Sequence, residues 1–344
     1  MQKTLRISDE EKFHLAMKVK KMLENDKGIL AADEKSSTLE PKFTSHGIAN
    51  TEENRIKFRD CIFSTPELEK YIGGVILNEE TFGQCNSEGV SLVQHLTSRN
   101  IEVGVKMDKG LMDFGSNEKI SVGIEDLENR IREDKFKVAS FCKWRSLFKI
   151  SEHRPSDSCI EQNCIVLCKY AIIAQKHGKV PILEPEISIE GCYSIDGMAT
   201  VAKKIYSTLF LWANKMNLFL PGILLKCSFI TEGSRYTHVQ QPMDVGAINV
   251  SVIAESVPWA LGGVLFLSGG HSTEESFEIL SLIHKYNTYK GLVLSFSFCR
   301  ALTGCVLEVW SGNNRNIKEA QRRFLSIVKE CNKSNRKNED LCNQ

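Results

Sequence analysis

Short apolar runs with strand character recur eight times along this chain, roughly 30–45 residues apart, with helical patterns between them. The runs are Gly28 to Ala32, Ile72 to Leu77, Ile101 to Val105, Val138 to Cys142, Val180 to Leu183, Gly222 to Leu225, Gly263 to Leu267 and Leu292 to Phe296. Between them, Asn50 to Phe63, Glu161 to His177, Met198 to Lys215 and Thr273 to Lys285 are amphipathic and long enough to carry the chain from one parallel strand to the next. Eight strand-then-helix units predict an α/β fold, a (β/α)8 TIM barrel with extra terminal helices. No Pro/Gly/Ser-rich linker divides the chain. One barrel domain is therefore expected over residues 1–330, followed by a polar, disordered tail over 331–344. Ser8-Asp9-Glu10-Glu11 reads as a capped helix start, with Glu11 at the third helical position.

Composition excludes several roles. With 44 Lys+Arg against 43 Asp+Glu the formal net charge is +1, and no long basic block offers a footprint for nucleic acid. The first twenty residues lack the apolar core of a secretory signal, which suggests a cytoplasmic protein. The most apolar long stretch, Ile205 to Leu225, is broken by Asn214, Lys215, Asn217, Pro221 and Gly222, so no membrane partner is expected. None of the 12 cysteines forms a Cys-x-x-Cys pair, and the 8 histidines, from His14 to His284 with His238 among them, never fall four apart on one helix. We expect free thiols acting as small hydrophobes, and neither a metal nor another cofactor.

A barrel of this kind presents its chemistry at the carboxyl ends of its strands. There the sequence has Asp33, Asn78, Lys106, Lys143, Glu184, Lys226, Ser268 and, just past the last run, Arg300. Any one of them reads as a solvated strand exit. Together they bring three lysines and two carboxylates to one mouth. Lys226 ends an apolar run, where desolvation and a neighbouring cation such as Lys143 favour a free amine able to attack a carbonyl and form a Schiff base. Glu184 and Glu186, on either side of Pro185, are placed to move protons during imine formation. Leu267-Ser268-Gly269-Gly270 precedes a capping box at Ser272 to Glu275, and two glycines allow backbone N–H groups to approach an anion. Arg300 can clamp the same phosphate, while Lys35, Ser36, Thr38, Lys106 and Arg145 can hold a second.

From about Asp9 to Lys329 the chain resembles the class I, Schiff-base-forming fructose-bisphosphate aldolases. The resemblance rests on Gly28-Ile29-Leu30-Ala31-Ala32-Asp33-Glu34, Asn50-Thr51-Glu52-Glu53-Asn54-Arg55, Lys106-Met107-Asp108-Lys109-Gly110 and Phe141-Cys142-Lys143-Trp144-Arg145. It continues through Pro181-Ile182-Leu183-Glu184-Pro185-Glu186, Leu224-Leu225-Lys226, Phe266-Leu267-Ser268-Gly269-Gly270 and Arg300-Ala301-Leu302. It implies reversible cleavage of fructose 1,6-bisphosphate, a sugar-phosphate substrate, into dihydroxyacetone phosphate and glyceraldehyde 3-phosphate, without a metal, in a homotetramer. It also implies roles: Lys226 as the Schiff-base lysine, Glu184 as the acid/base that dehydrates the carbinolamine, Asp33 as the base at the C4 hydroxyl, and Lys143 as a charge-stabilising group. Ser268, Gly269 and Arg300 then hold the C1-phosphate, Lys106, Arg145 and Thr38 the C6-phosphate end, and Glu186 orders its neighbours.

The chain departs from that pattern at Lys35, where the family usually has serine, and at Pro41, where it usually has lysine. Cys227-Ser228 stand in place of proline-asparagine, and Phe298-Cys299 in place of tyrosine-glycine. The tail carries no terminal tyrosine, which in animal members assists proton exchange at C3, so slow enamine protonation is expected. Two other readings use the same residues. One is a catalytically weakened relative that binds sugar phosphates or cytoskeletal partners; the other is a Schiff-base lyase with a single phosphate site.

Overall fold

The computed structural model describes residues 7–115, 117–237, 242–289 and 291–336. Eight parallel strands close into a barrel in chain order: β1 (Gly28–Ala32), β2 (Ile72–Leu77), β3 (Glu102–Lys106), β4 (Phe141–Phe148), β5 (Val180–Ile187), β6 (Leu224–Ser228), β7 (Gly263–Leu267) and β8 (Leu294–Phe298). β8 pairs back onto β1, so no barrel edge is left open. The helices fall where the amphipathic segments predict, as in Glu52–Phe63, Asp157–Lys176, Ile195–Lys215 and Thr273–Tyr286.

The strand bounds differ from the sequence reading most at β4, which starts at Phe141 rather than Val138 and runs on to Phe148. Val138 is exposed in the preceding turn. Lys143, taken from sequence as the strand's exit, instead belongs to its interior, as does Arg145. Along a strand the side chains alternate, so Lys143 and Arg145 share one face while Cys142, Trp144 and Ser146 share the other. Trp144 packs on Tyr170 of the helix Asp157–Lys176, ring centroids 5.3 Å apart, and its indole N–H donates to Ser121 at 2.8 Å. Ser121 lies in a hairpin, Leu111–Asp113 paired with Lys119–Ser121, that sequence periodicity does not reveal because each strand is only three residues long.

Apolar side chains fill the barrel from its amino-terminal end. Ile29, Ile76, Phe141, Ile182, Leu224 and Leu265 form one buried cluster with Leu15, Val19, Met22 and Leu23 of the helix Asp9–Leu23, which plugs that end. This helix starts as expected, with Ser8 and Glu11 closing a reciprocal capping box. The dry floor beneath the mouth follows from this arrangement, since every side chain of that cluster is apolar.

The tail expected from residue 331 needs correcting. The last helix, Ile317–Ser334, runs through that boundary with Cys331, Asn332 and Asn335 buried. Asn332 and Asn335 each donate a side-chain N–H to the Asp26 carbonyl at 2.8 Å, so polar residues that look solvated in sequence dock the helix on the barrel floor. Residues 337–344 lie outside the described residues, as does His238. Among the described residues no helix is long and apolar enough to cross a membrane.

Gly73 on β2 allows the plug helix its close approach. A Cβ there would stand 1.9 Å from the Met22 carbonyl oxygen, a backbone atom that cannot rotate away. Gly73→Ala is expected to destabilise the fold by about 1–3 kcal/mol or more and to lower the thermal midpoint measured by circular dichroism.

Candidate active site

In the mouth of the barrel the structure gathers four ionisable side chains, Asp33 just past β1 and three from within β4, β5 and β6. Lys143 on β4 lies 2.8 Å from the Asp33 carboxylate after β1 and 2.7 Å from Glu184 on β5. The second oxygen of Glu184 meets Lys226 of β6 at 2.8 Å. Lys143, Glu184 and Lys226 are each no more than 4% exposed. Two ammonium groups thus alternate with two carboxylates in a buried, formally neutral chain. Burial alone pushes the Glu184 carboxyl up, but Lys143, Lys226 and Arg145 outweigh it and hold it far below the ordinary carboxylate range. Asp33 behaves alike: burial raises it, and Lys143 and Lys226 bring it below its ordinary value. Burial works to lower Lys143, and the carboxylates of Asp33, Glu184 and Asp108 reverse this and raise it well above an ordinary lysine.

Register explains how β4 and β5 reach one another. Arg145 pairs with Glu184 and Leu147 with Glu186 across the two strands. Two residues along from Lys143, Arg145 donates its Nε–H to Glu186. Lys106, ending β3 opposite Lys143, donates to Asp108. Asp108 also accepts from the backbone N–H of Arg145 at 3.3 Å and of Gly110 at 3.2 Å, so one buried carboxylate ties β3 to β4. Burial lowers the Lys106 ammonium, and the Asp108 carboxylate acts in the opposite sense.

Across the mouth, Arg300 donates to the Gly270 carbonyl at 2.7 Å, which joins the turn after β7 to the start of the helix Arg300–Trp310. That helix has no side-chain cap, so its positive end is available to an anion. Gly269 (φ 54°) and Gly270 (φ 112°) adopt the left-handed backbone that the turn requires. Cys299 faces Glu34; burial, with that carboxylate beside it, pushes its thiol far up, so it is not a ready thiolate.

These groups surround an open cavity of about 650 Å³. Of the residues expected from sequence, Asp33, Lys143, Glu184, Lys226, Lys106, Arg145, Glu186, Thr38, Ser268 and Arg300 all line it. Gly269 shapes the turn between two lining residues, Ser268 and Gly270, without lining the cavity itself. Sequence reasoning gave no role to Asp108, Glu34 and Lys42, which also line it. Asp108 follows Lys106 by two residues inside a quoted motif, and that spacing was the available signal. Among the described residues no cluster of His, Cys, Asp and Glu has the arrangement of a metal site.

A buried Lys226 amine on a carboxylate shared with a second lysine, above an apolar barrel floor, is an arrangement that suits lysine-dependent lyases. The comparisons agree. The family model for class I fructose-bisphosphate aldolase matches residues 14–339. A fructose-bisphosphate aldolase of Encephalitozoon cuniculi is 48% identical over 311 residues, covering 90% of this chain and 92% of that protein. The cytoplasmic isozyme 1 of Pisum sativum is 37% identical, covering 88% and 85%. A crystal structure of the Plasmodium falciparum aldolase, in complex with TRAP and a small-molecule inhibitor, superposes with a TM-score of 0.94 at 36% identity, covering 97% of both chains. The chain is a member of the class I fructose-bisphosphate aldolase family.

The charge chain gives a signed pH dependence. Asp33 and Glu184 titrate lower in the folded protein than when unfolded, so their contribution is present above the ordinary carboxylate range and is lost as pH falls through their folded values. Lys143→Met strands two buried carboxylates and is expected to cost about 3–5 kcal/mol near neutral pH. Urea unfolding at pH 7 and pH 4 should show a smaller loss at pH 4, where the stranded carboxylates of the variant take up protons.

Proposed function

We propose that this protein cleaves fructose 1,6-bisphosphate reversibly into dihydroxyacetone phosphate and glyceraldehyde 3-phosphate through a Schiff base on Lys226. The observation that carries the reading is the buried Lys226 amine, 2.8 Å from the carboxylate of Glu184 that also meets Lys143. Glu184 is the group to take a proton from the Lys226 ammonium, which frees the amine lone pair to attack the C2 carbonyl. The nitrogen of the adduct passes a second proton to the C2 oxygen, and the Glu184 carboxyl then returns its own proton to the resulting hydroxyl, which leaves as water and yields the iminium.

The iminium withdraws electrons from C2. Asp33 takes the C4 hydroxyl proton, the C3–C4 electron pair moves toward the iminium nitrogen, and glyceraldehyde 3-phosphate departs from a neutral enamine. Protonation at C3 and hydrolysis release dihydroxyacetone phosphate and restore the amine. Lys143, between Asp33 and Glu184, stabilises whichever of the two is anionic at each stage. Ser268, the Gly269 turn and Arg300 serve the C1-phosphate, and Lys106, Arg145 and Thr38 the C6-phosphate, so that both ends orient the sugar across the mouth. Glu186 orients Arg145 through their hydrogen bond. We read the protein as a cytoplasmic homotetramer, supported for location by relatives described as cytoplasmic or cytosolic isozymes.

Borohydride trapping with dihydroxyacetone phosphate, followed by peptide mass spectrometry, tests the reading. We expect an adduct on Lys226 that survives chelator and is absent from Lys226→Met. A folded protein that binds the phosphate and yields no adduct would instead favour the non-catalytic sugar-phosphate binder.

A further inference from the structure

Asp33 sits at the end of a short strand, and nothing in β1 itself fixes the direction its carboxylate faces. The next residue is held from two sides. The Glu34 backbone carbonyl accepts the side-chain N–H of Asn78 at 2.5 Å and an N–H of Arg59 at 3.3 Å. Its carboxylate pairs with Lys42 at 2.5 Å. Asn78 follows β2 and is 7% exposed; its Oδ1 accepts from the Thr81 backbone N–H at 3.1 Å and from the Thr81 hydroxyl at 3.0 Å. Every polar atom of this amide is committed, so it has one orientation.

Arg59 is 2% exposed, and its remaining contacts run to Glu80 at 2.7 Å and Gln84 at 2.6 Å. Asn50 donates to the Ser36 carbonyl and hydroxyl at 3.1 and 3.0 Å, which fixes the chain two residues beyond Glu34. The β1 loop is therefore clamped by the buried Asn78 and Arg59 and the half-buried Asn50, none of which lines the cavity.

We propose that Asn78 is a positioning residue for C–C bond cleavage, acting through the Glu34 carbonyl to hold the Asp33 carboxylate against the C4 hydroxyl. The inference rests on the function proposed above. Its consequence is selective. Forming a Schiff base with dihydroxyacetone phosphate involves Lys226 and Glu184 and no C4 hydroxyl, whereas cleaving the bisphosphate needs Asp33 at the correct angle. A carboxylate displaced by a fraction of an ångström slows the second process and spares the first.

The test uses the full chain with Asn78→Asp and Asn78→Leu. Asn78→Asp keeps the shape and the acceptor that holds Thr81 and removes the donor to Glu34; Asn78→Leu removes the donor without adding charge. For both we expect kcat for fructose 1,6-bisphosphate cleavage to fall about tenfold or more, with KM changed less than about twofold. Borohydride trapping of dihydroxyacetone phosphate on Lys226 should proceed at the wild-type rate. Unchanged cleavage in both variants, or cleavage and trapping that fall together, would overturn the proposal. A wild-type protein that neither traps nor cleaves would overturn the underlying function reading, and this inference with it.

Discussion

Lys143 is the constraint on which the rest of the site depends. An ammonium this deeply buried is tolerated only because carboxylates approach it from two sides, and those carboxylates are held low only because Lys143 and Lys226 are there. Each member removes the desolvation problem of another. The strands that carry them are consequently locked in register: β1, β4, β5 and β6 must present these side chains at one height above the apolar floor. A barrel closed by backbone hydrogen bonds and filled from below by the plug helix supplies that rigidity.

The same logic extends to the rim in a weaker form. Lys42 is paired with Glu34, Lys106 with Asp108 and Arg145 with Glu186. Each pairing orients a cation while leaving donors over for a ligand. Arg300 differs, because it rests on the backbone carbonyls of Gly270 and His271 and, among the described residues, forms no ion pair with a carboxylate. The mouth thus differs electrostatically around its rim, with ion-paired cations at Lys106, Arg145 and Lys42 and a carbonyl-held guanidinium beside a helix terminus at Arg300.

Much of the architecture was legible in the chain. Three strands, Gly28–Ala32, Ile72–Leu77 and Gly263–Leu267, keep the bounds their apolar runs suggest. The reading fell short where charge interrupts an apolar run inside a strand. Lys143 looks like an exit, and only the barrel's inward face explains why β4 continues past it and Arg145. It fell short again at Asn332 and Asn335, buried residues whose amides both donate to the Asp26 carbonyl and so behave as interior residues. For the site, strand-end position picked out Asp33, Glu184 and Lys226 without any structure. Strand-end position also marked Asn78 but not what it does, and Asp108 and Arg59 were not legible, because their importance lies in which distant group each amide, carboxylate or guanidinium reaches.

What the sequence determined by itself is the alternation of strand and helix and the residue types at each strand's end, since both are local: apolar periodicity selects the element, and its last residue occupies the mouth. Only the tertiary structure decided which charges neutralise which. Lys143 lies more than a hundred residues from Asp33 and about forty from Glu184 and Lys106, and nothing in local spacing says that it bridges the two carboxylates instead of meeting Lys106. Closure of the barrel and strand register set those distances, and over a few ångströms in a buried setting the distances determine the sign and size of each interaction.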